Sequence, residues 1–462
     1  MAINPCRYLG ITGFALIAAC YGFARFAFGL FLPRIDAELS LSSTLSGLMS
    51  GAAFLTYCVA VILSAWLTER LGPRFVAIGA ALIAAAGMAG IAAAPTAPWL
   101  AGAVMLAGSS TGLVSPALAA AVAAGVPPGR QNATNAFINA GTGAGVALSG
   151  PVALMMGEQW RVAFAGFAAV AFGLAFAVAF ILPRRTQGAT AGATAAGATA
   201  TGASTTGVTT TGVATTGVTT TGVATTGVAT TGVTTTGVAT TGATTTGATT
   251  TGTATTGATT TGNGIPMLSG ALRRLIAAAF LTGAASTAIW SFGGQLVGLR
   301  LNWSGTGAGL LWTAIGAAGI VGAGAGHWIA RFGIDRVHRV FLTAMAASVL
   351  LVGIDGTSAP LALLGGALFG VAYITITGVY LLWGVSALPQ RPATGVMIAF
   401  LALAIGQTAG AAIFGLLMDR FTANHAVILF AALALTAGIV RAETADNAQR
   451  RRFPACKKQS QQ

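Results

Sequence analysis

The sequence predicts an all-α membrane protein, with twelve transmembrane helices in two pseudo-symmetric six-helix halves. Three observations carry this. The 462 residues are 55% apolar and only 7% charged, against about 25% charged in a soluble protein, and the mean hydropathy is +0.80. The apolar residues gather into runs near the length of about 20 that a helix needs to cross a bilayer core. Those runs fall in two blocks of six, separated by one long uncharged tract of Thr, Gly, Ala and Val. In hydrocarbon each backbone polar group must be satisfied within its own segment, so such runs are helices.

In chain order, apolar runs near 9–32, 45–67, 75–94, 98–123, 132–156 and 161–182 make an N-terminal half, residues 1–182. Runs near 272–298, 305–329, 337–354, 360–388, 392–417 and 425–441 make a C-terminal half, residues 271–441. Between them, residues 183–270 repeat every five positions, as in TTGVATTGVTTTGVATTGV, with Gly recurring from Gly192 to Gly262. Five is the period of neither a helix nor a strand, and side chains this small do not offset the entropy of ordering. The tract is therefore expected to be a disordered cytoplasmic linker, with Thr and Val favouring transient strand pairing. Residues 442–462 form a basic cytoplasmic tail.

The net charge is +14. With the N-terminus inside, eighteen Lys and Arg fall on the side of the chain ends, and only Arg34, Arg161, Arg300 and Arg420 on the other. The positive-inside rule then makes both termini cytoplasmic, in a cell inner (plasma) membrane. Charge distributed this way is a topology signal and not a nucleic-acid surface. Cys6, Cys20, Cys58 and Cys456 show neither disulfide nor metal-ligand spacing, so no metal or other cofactor is indicated. The first apolar run is too long for a signal-peptide core and is expected to stay as the first span. No phosphate-binding loop of the Walker type occurs, which argues against ATP-driven transport.

Two six-helix halves joined by a polar linker are the layout of a secondary carrier with a site between the halves. The expectation is a transporter, not an enzyme, moving a small-molecule substrate across the lipid bilayer by alternating access, as a monomer. Two other readings stay open. Export of lipophilic compounds would need an acidic cavity, and a non-transporting sensor or scaffold would use the repeat tract as a docking arm.

After the second apolar run the sequence reads AWLTERLGPRF, residues 65–75. Glu69, Arg70, Gly72 and Arg74 there resemble the loop signature of the major facilitator superfamily. The equivalent loop of the second half, GHWIARFGIDR at residues 326–336, matches at Gly326, Arg331 and Gly333, with Ala330 where the acid should be. The start of the first span, YGFARFAFGLFLPRIDAELSLS at residues 21–42, is similar to the YbfB/YjiJ-like branch of that superfamily. The resemblance implies the twelve-helix fold and transport. It also implies a cytoplasmic latch from Glu69, Arg70, Gly72, Arg74, Arg331 and Gly333, in which a carboxylate near a helix N-terminus and arginines near helix ends pair in one state only. GTGAGVALSGP, residues 141–151, faintly resembles the glycine-proline signature of exporters, with Val146 departing from it. Close packing by small residues explains it equally well, so import and export stay even.

Arg25 is the one charge well inside a span, since all nine acids fall at span ends, in loops or in the tail. Its burial costs at least about 2.5 kcal/mol, and intramembrane ionisable residues are functional by default. Tyr21, Gly22 and Gly29 are expected to share its helical face. Arg25 then either lines a cavity and attracts an anionic group such as a carboxylate, or braces the first helix; the cavity reading is preferred. Asn135 and Asn139, Trp290 and Gln295, Tyr373 and Tyr380, and Gln407 complete the candidate substrate cavity. Any one of them alone is better explained as interhelical glue worth about 0.6 kcal/mol; it is as a group that they fit a mixed aromatic and hydrogen-bonding site. With no buried carboxylate to titrate, coupling through Arg25 and an organic anion is preferred to a carboxylate relay.

Overall fold

The computed structural model describes residues 5–182 and 269–442, except 304, 305, 323, 389 and 390, together with six Thr-Thr pairs between 220 and 246. The basic tail and the rest of the repeat tract lie outside the described residues. Among the described residues ten helices are long and apolar enough to cross a membrane, an eleventh span is the pair Gly307–Gly322 and Ala325–Phe332 bent by 52°, and the shorter apolar helix Ala423–Ile439 follows. Spans 1 to 6 are Tyr8–Leu39, Ser43–Leu71, Pro73–Ala92, Ala97–Gly125, Pro128–Met156 and Trp160–Ile181. Span 7 is Gly270–Trp290 continued as Gly293–Leu301, span 8 is the bent pair, and spans 9 to 12 are Ile334–Gly353, Ala359–Ala387, Pro392–Arg420 and Ala423–Ile439.

The ends of the spans follow from local chemistry. The Ser42 and Ser269 side chains accept from the backbone N–H groups of Leu45 and Leu272, capping spans 2 and 7. Prolines in the first turn open spans 3, 4, 5, 10 and 11, where a missing N–H costs nothing. The two loop glycines of the duplicated signature do one job. Gly72 and Gly333 hold φ of 87° and 80°, a conformation that glycine adopts freely, and each turns one span directly into the next. The duplication is thus a backbone fact as well as a sequence pattern.

A second duplicated device ties the corners of each half at the face away from the chain ends. In the N-terminal half Arg161, at the start of span 6, is paired with Glu38 near the end of span 1 at 2.8 Å, and donates to the Ala92 carbonyl closing span 3. Trp160 Nε1 also donates to Glu38, at 2.6 Å. In the C-terminal half Arg300, at the end of span 7, donates to the Gly353 carbonyl closing span 9, to Asp355, and to Asn424 at the start of span 12. The arginine stands on span 6 in one half and span 7 in the other, and the acid on span 1 and just after span 9, but the same three corners are joined.

At that same far face the halves close on each other. A Cβ at Gly29 of span 1 would collide with the Trp290 carbonyl of span 7. Cβ atoms at Gly47 and Gly415 would collide with backbone carbonyls across spans 2 and 11, and one at Gly150 of span 5 with Gly309 and Thr313 of span 8. Small residues let these backbones touch.

The repeat tract, Thr205–Met267, is a unit of its own. Its described Thr pairs lie parallel in twos, with Thr220 against Thr235, Thr225 against Thr240 and Thr230 against Thr245. A five-residue period suits neither helix nor strand, but every third repeat brings identical threonines into register.

Candidate substrate cavity

The first span is not a uniform α-helix. Ala18–Phe26 form a π-helical stretch in which every residue but Arg25 is buried. Its wider i→i+5 turns change the angular step per residue, and this divides the face expected from α-helical spacing. Tyr21 and Arg25 look into a cavity, Gly22 lies against the Gly145 backbone of span 5, and Gly29 meets span 7. Trp312 Nε1 of span 8 donates to the Phe26 carbonyl at the end of the stretch, at 3.3 Å. Span 7, the pseudo-symmetric partner, is itself broken between Trp290 and Gly293. Discontinuous helices in the two repeats are where carriers build their sites.

The cavity has an empty volume of about 740 Å³, counting its mouth, and both halves line it. Span 1 supplies Tyr21, Arg25 and Phe26, span 2 Tyr57, span 4 Ser115 and span 5 Thr142; spans 10 and 11 add Tyr373, Thr377, Phe400 and Gln407. Arg25 Nη2 donates to Gln407 Oε1 at 3.0 Å, across the two halves. Gln407 Nε2 donates in turn to Tyr373 OH at 3.1 Å and Ser286 Oγ at 3.3 Å. The guanidinium carbon stands 4.2 Å from the Tyr57 ring centre and 4.8 Å from that of Phe54. Among the described residues no carboxylate pairs with Arg25. The charge is held by an amide dipole and aromatic faces, and Arg25 Nε and Thr142 Oγ1 are buried without a partner.

Four of the residues expected from sequence, Tyr21, Arg25, Tyr373 and Gln407, therefore converge on one cavity. Trp290 lies in a smaller adjoining one with Thr142, its ring stacked on Phe26 at 4.0 Å. The others are placed elsewhere. The break in span 7 carries Gln295 away from Trp290 to the far-face closure, where it donates to Asp36 at 3.2 Å and Ser43 at 3.4 Å. Tyr380 points into the C-terminal half, where Thr282, His338 Nε2 and the Ala278 carbonyl surround its hydroxyl. Asn139 is buried and Asn135 half-buried on span 5, and neither is in the cavity wall. Tyr57 and Thr142 are polar wall residues that sequence reasoning passed over. The signal available was a phenol inside the second run and a hydroxyl three residues after Asn139 in the fifth.

The far-face closure holds two carboxylates. Asp36 accepts from Ser46 Oγ at 3.0 Å as well as from Gln295. Asp419, at the end of span 11, accepts from the Ser43 and Thr44 N–H groups at 3.1 and 2.7 Å, capping span 2 from the opposite half. At the other face Glu69 is exposed and makes no hydrogen bond or ion pair among the described residues, while Arg70 lies 4.1 Å from the Trp66 ring centre.

A family profile described as Major Facilitator Superfamily matches residues 14–400. No curated protein matches the sequence. Solved structures share the fold at low identity. The nucleoside transporter NupG superposes with a TM-score of 0.65 at 11% identity, over 95% of this chain and 98% of its own. The xylose transporter XylE from E. coli, in a partially occluded inward-open conformation, gives 0.63 at 13% identity, over 94% and 98%. The human organic anion transporter MFSD10 gives 0.56 at 16% identity, over 95% and 100%.

Proposed function

The chain belongs to the major facilitator superfamily, and from that premise we propose that it carries a small organic anion by alternating access, with Arg25 as the recognising group. The observation that carries this is a guanidinium in the cavity between the halves, with no carboxylate beside it among the described residues. Arg stays charged at any working pH and offers five donors. Arg25 spends one on Gln407 of the opposite half, so an anion that binds the guanidinium competes with a tie between the halves. Binding is thereby coupled to the switch between states. The first-span sequence supports membership of the YbfB/YjiJ-like branch, and the distribution of basic residues supports cytoplasmic termini and an inner membrane. Coupling runs through Arg25 and the anion, by exchange or facilitated diffusion. Export of lipophilic cations is disfavoured, because it calls for an acidic cavity and this wall is basic.

The test is uptake by proteoliposomes. Solutes accumulated from a metabolite extract are compared with and without the protein, and then with Arg25→Lys and Arg25→Gln. Arg25→Lys keeps the charge but loses the planar fork, and should lower uptake about tenfold or more, the worth of a charge-assisted hydrogen bond. Arg25→Gln should abolish uptake in a protein that still folds, since removing an unpaired charge need not destabilise. Normal uptake by Arg25→Gln, or accumulated solutes without negative charge, overturns the reading. Unfolding of Arg25→Gln makes Arg25 a brace.

A further inference from the structure

Resting on that anion reading, we infer that the cavity selects an aromatic monocarboxylate, its carboxylate on Arg25 and Thr142 and its ring among the surrounding aromatic side chains. Three observations lead there. The first is charge count. Among the described residues Arg25 is the single ionised side chain in the cavity wall, so a second carboxylate would be desolvated without a partner, which is costly. A neutral or cationic ligand would leave the guanidinium unanswered.

The second is the set of donors left over. Arg25 Nε and Thr142 Oγ1 are buried, belong to the same wall, and have no partner. Trp290 Nε1 is buried and unpartnered in the adjoining cavity that Thr142 also lines. Buried polar groups are satisfied in nearly all native structures, and a carboxylate, with two oxygens and about four lone-pair sites, is the acceptor that this set lacks.

The third is the wall itself. The chain has five tyrosines, and three of them, Tyr21, Tyr57 and Tyr373, line this one cavity beside Phe26 and Phe400. Arg25 already lies over Tyr57, and Trp290 meets Tyr373 edge to face at 5.3 Å. An aryl ring entering such a box gains offset and edge contacts beyond the area it buries, which an aliphatic acid of equal size does not.

The experiment measures binding to the purified full-length protein by calorimetry, using benzoate and phenylacetate, cyclohexanecarboxylate, phthalate and benzamide. Benzoate or phenylacetate should bind about fivefold or more tighter than cyclohexanecarboxylate, the scale of an aromatic contact, while phthalate and benzamide give no measurable heat. Thr142→Val should weaken both aromatic acids, and Tyr57→Leu should erase their preference over cyclohexanecarboxylate without weakening the latter. If cyclohexanecarboxylate binds as well as the aromatic acids and Arg25→Gln abolishes both, the aromatic inference fails and the anion reading stands. Should benzamide bind like benzoate, with Arg25→Gln unaffected, both fail. The absence of binding by every acid also overturns the inference, and the wild-type series decides even where a variant does not fold.

Discussion

At the residue scale, Arg25 and Tyr380 show how differently two buried polar groups are employed. Arg25 keeps a donor free beside a cavity. The Tyr380 hydroxyl is fully committed. Its single proton goes to the Ala278 carbonyl, so Thr282 and His338 must both donate to its oxygen, which puts the imidazole proton on Nε2. Tyr380→Phe would leave the Thr282 hydroxyl and His338 Nε2–H without an acceptor in a fully buried place. That should cost about 1–3 kcal/mol for the stranded groups, read as a lower thermal midpoint in detergent, with anion affinity unchanged. Loss of affinity at an unchanged midpoint would instead return Tyr380 to the binding site, where sequence spacing alone had put it.

At the element scale, two carboxylates near opposite ends of the helices are proposed to bias the same equilibrium in opposite directions. Asp419 caps span 2 across the far-face closure, and a charge at a helix N-terminus is worth about 0.3–1 kcal/mol. Asp419→Asn should therefore shift the protein toward the state open at that face, by about two- to fivefold. Glu69→Gln should loosen closure of the opposite face instead and slow transport, without loss of expression. Spin-label distances across each face report both, and unchanged distances in either variant remove that residue from gating. Gly29→Ala is the sharper version of the first test. Its methyl meets the Trp290 carbonyl, so the far face should no longer close, and normal closure would mean that spans 1 and 7 separate there without consequence.

At the scale of the whole molecule, the helical unit and the repeat unit are separate bodies. If the carrier reading holds, deleting most of residues 188–262 should leave proteoliposome uptake within about twofold of the intact chain, because a linker only limits how far its ends can part. A scaffold that docks partners through the repeat would lose its activity with that deletion.

The twelve-helix fold was legible because run length is a property of the chain that no packing can alter. The span junctions were legible at Gly72 and Gly333, since their left-handed backbone suits glycine above other residues. Arg25 was legible as well, because a charge within an apolar run has no inexpensive place except a cavity or a partner. Which polar residues join it was decided by tertiary structure. The π-helical stretch of span 1 and the break after Trp290 in span 7 reset the direction in which every later side chain points. The break lies against the Gly29 backbone of the opposite half, and the π stretch ends at the Phe26 carbonyl, served by Trp312 Nε1 from 286 residues away in sequence. Spacing within one helix carries no record of such a contact, so Gln295 was assigned to the cavity and the break sent it elsewhere, while Tyr380, on an unbroken helix, was drawn into the C-terminal half by Thr282, His338 and the Ala278 carbonyl.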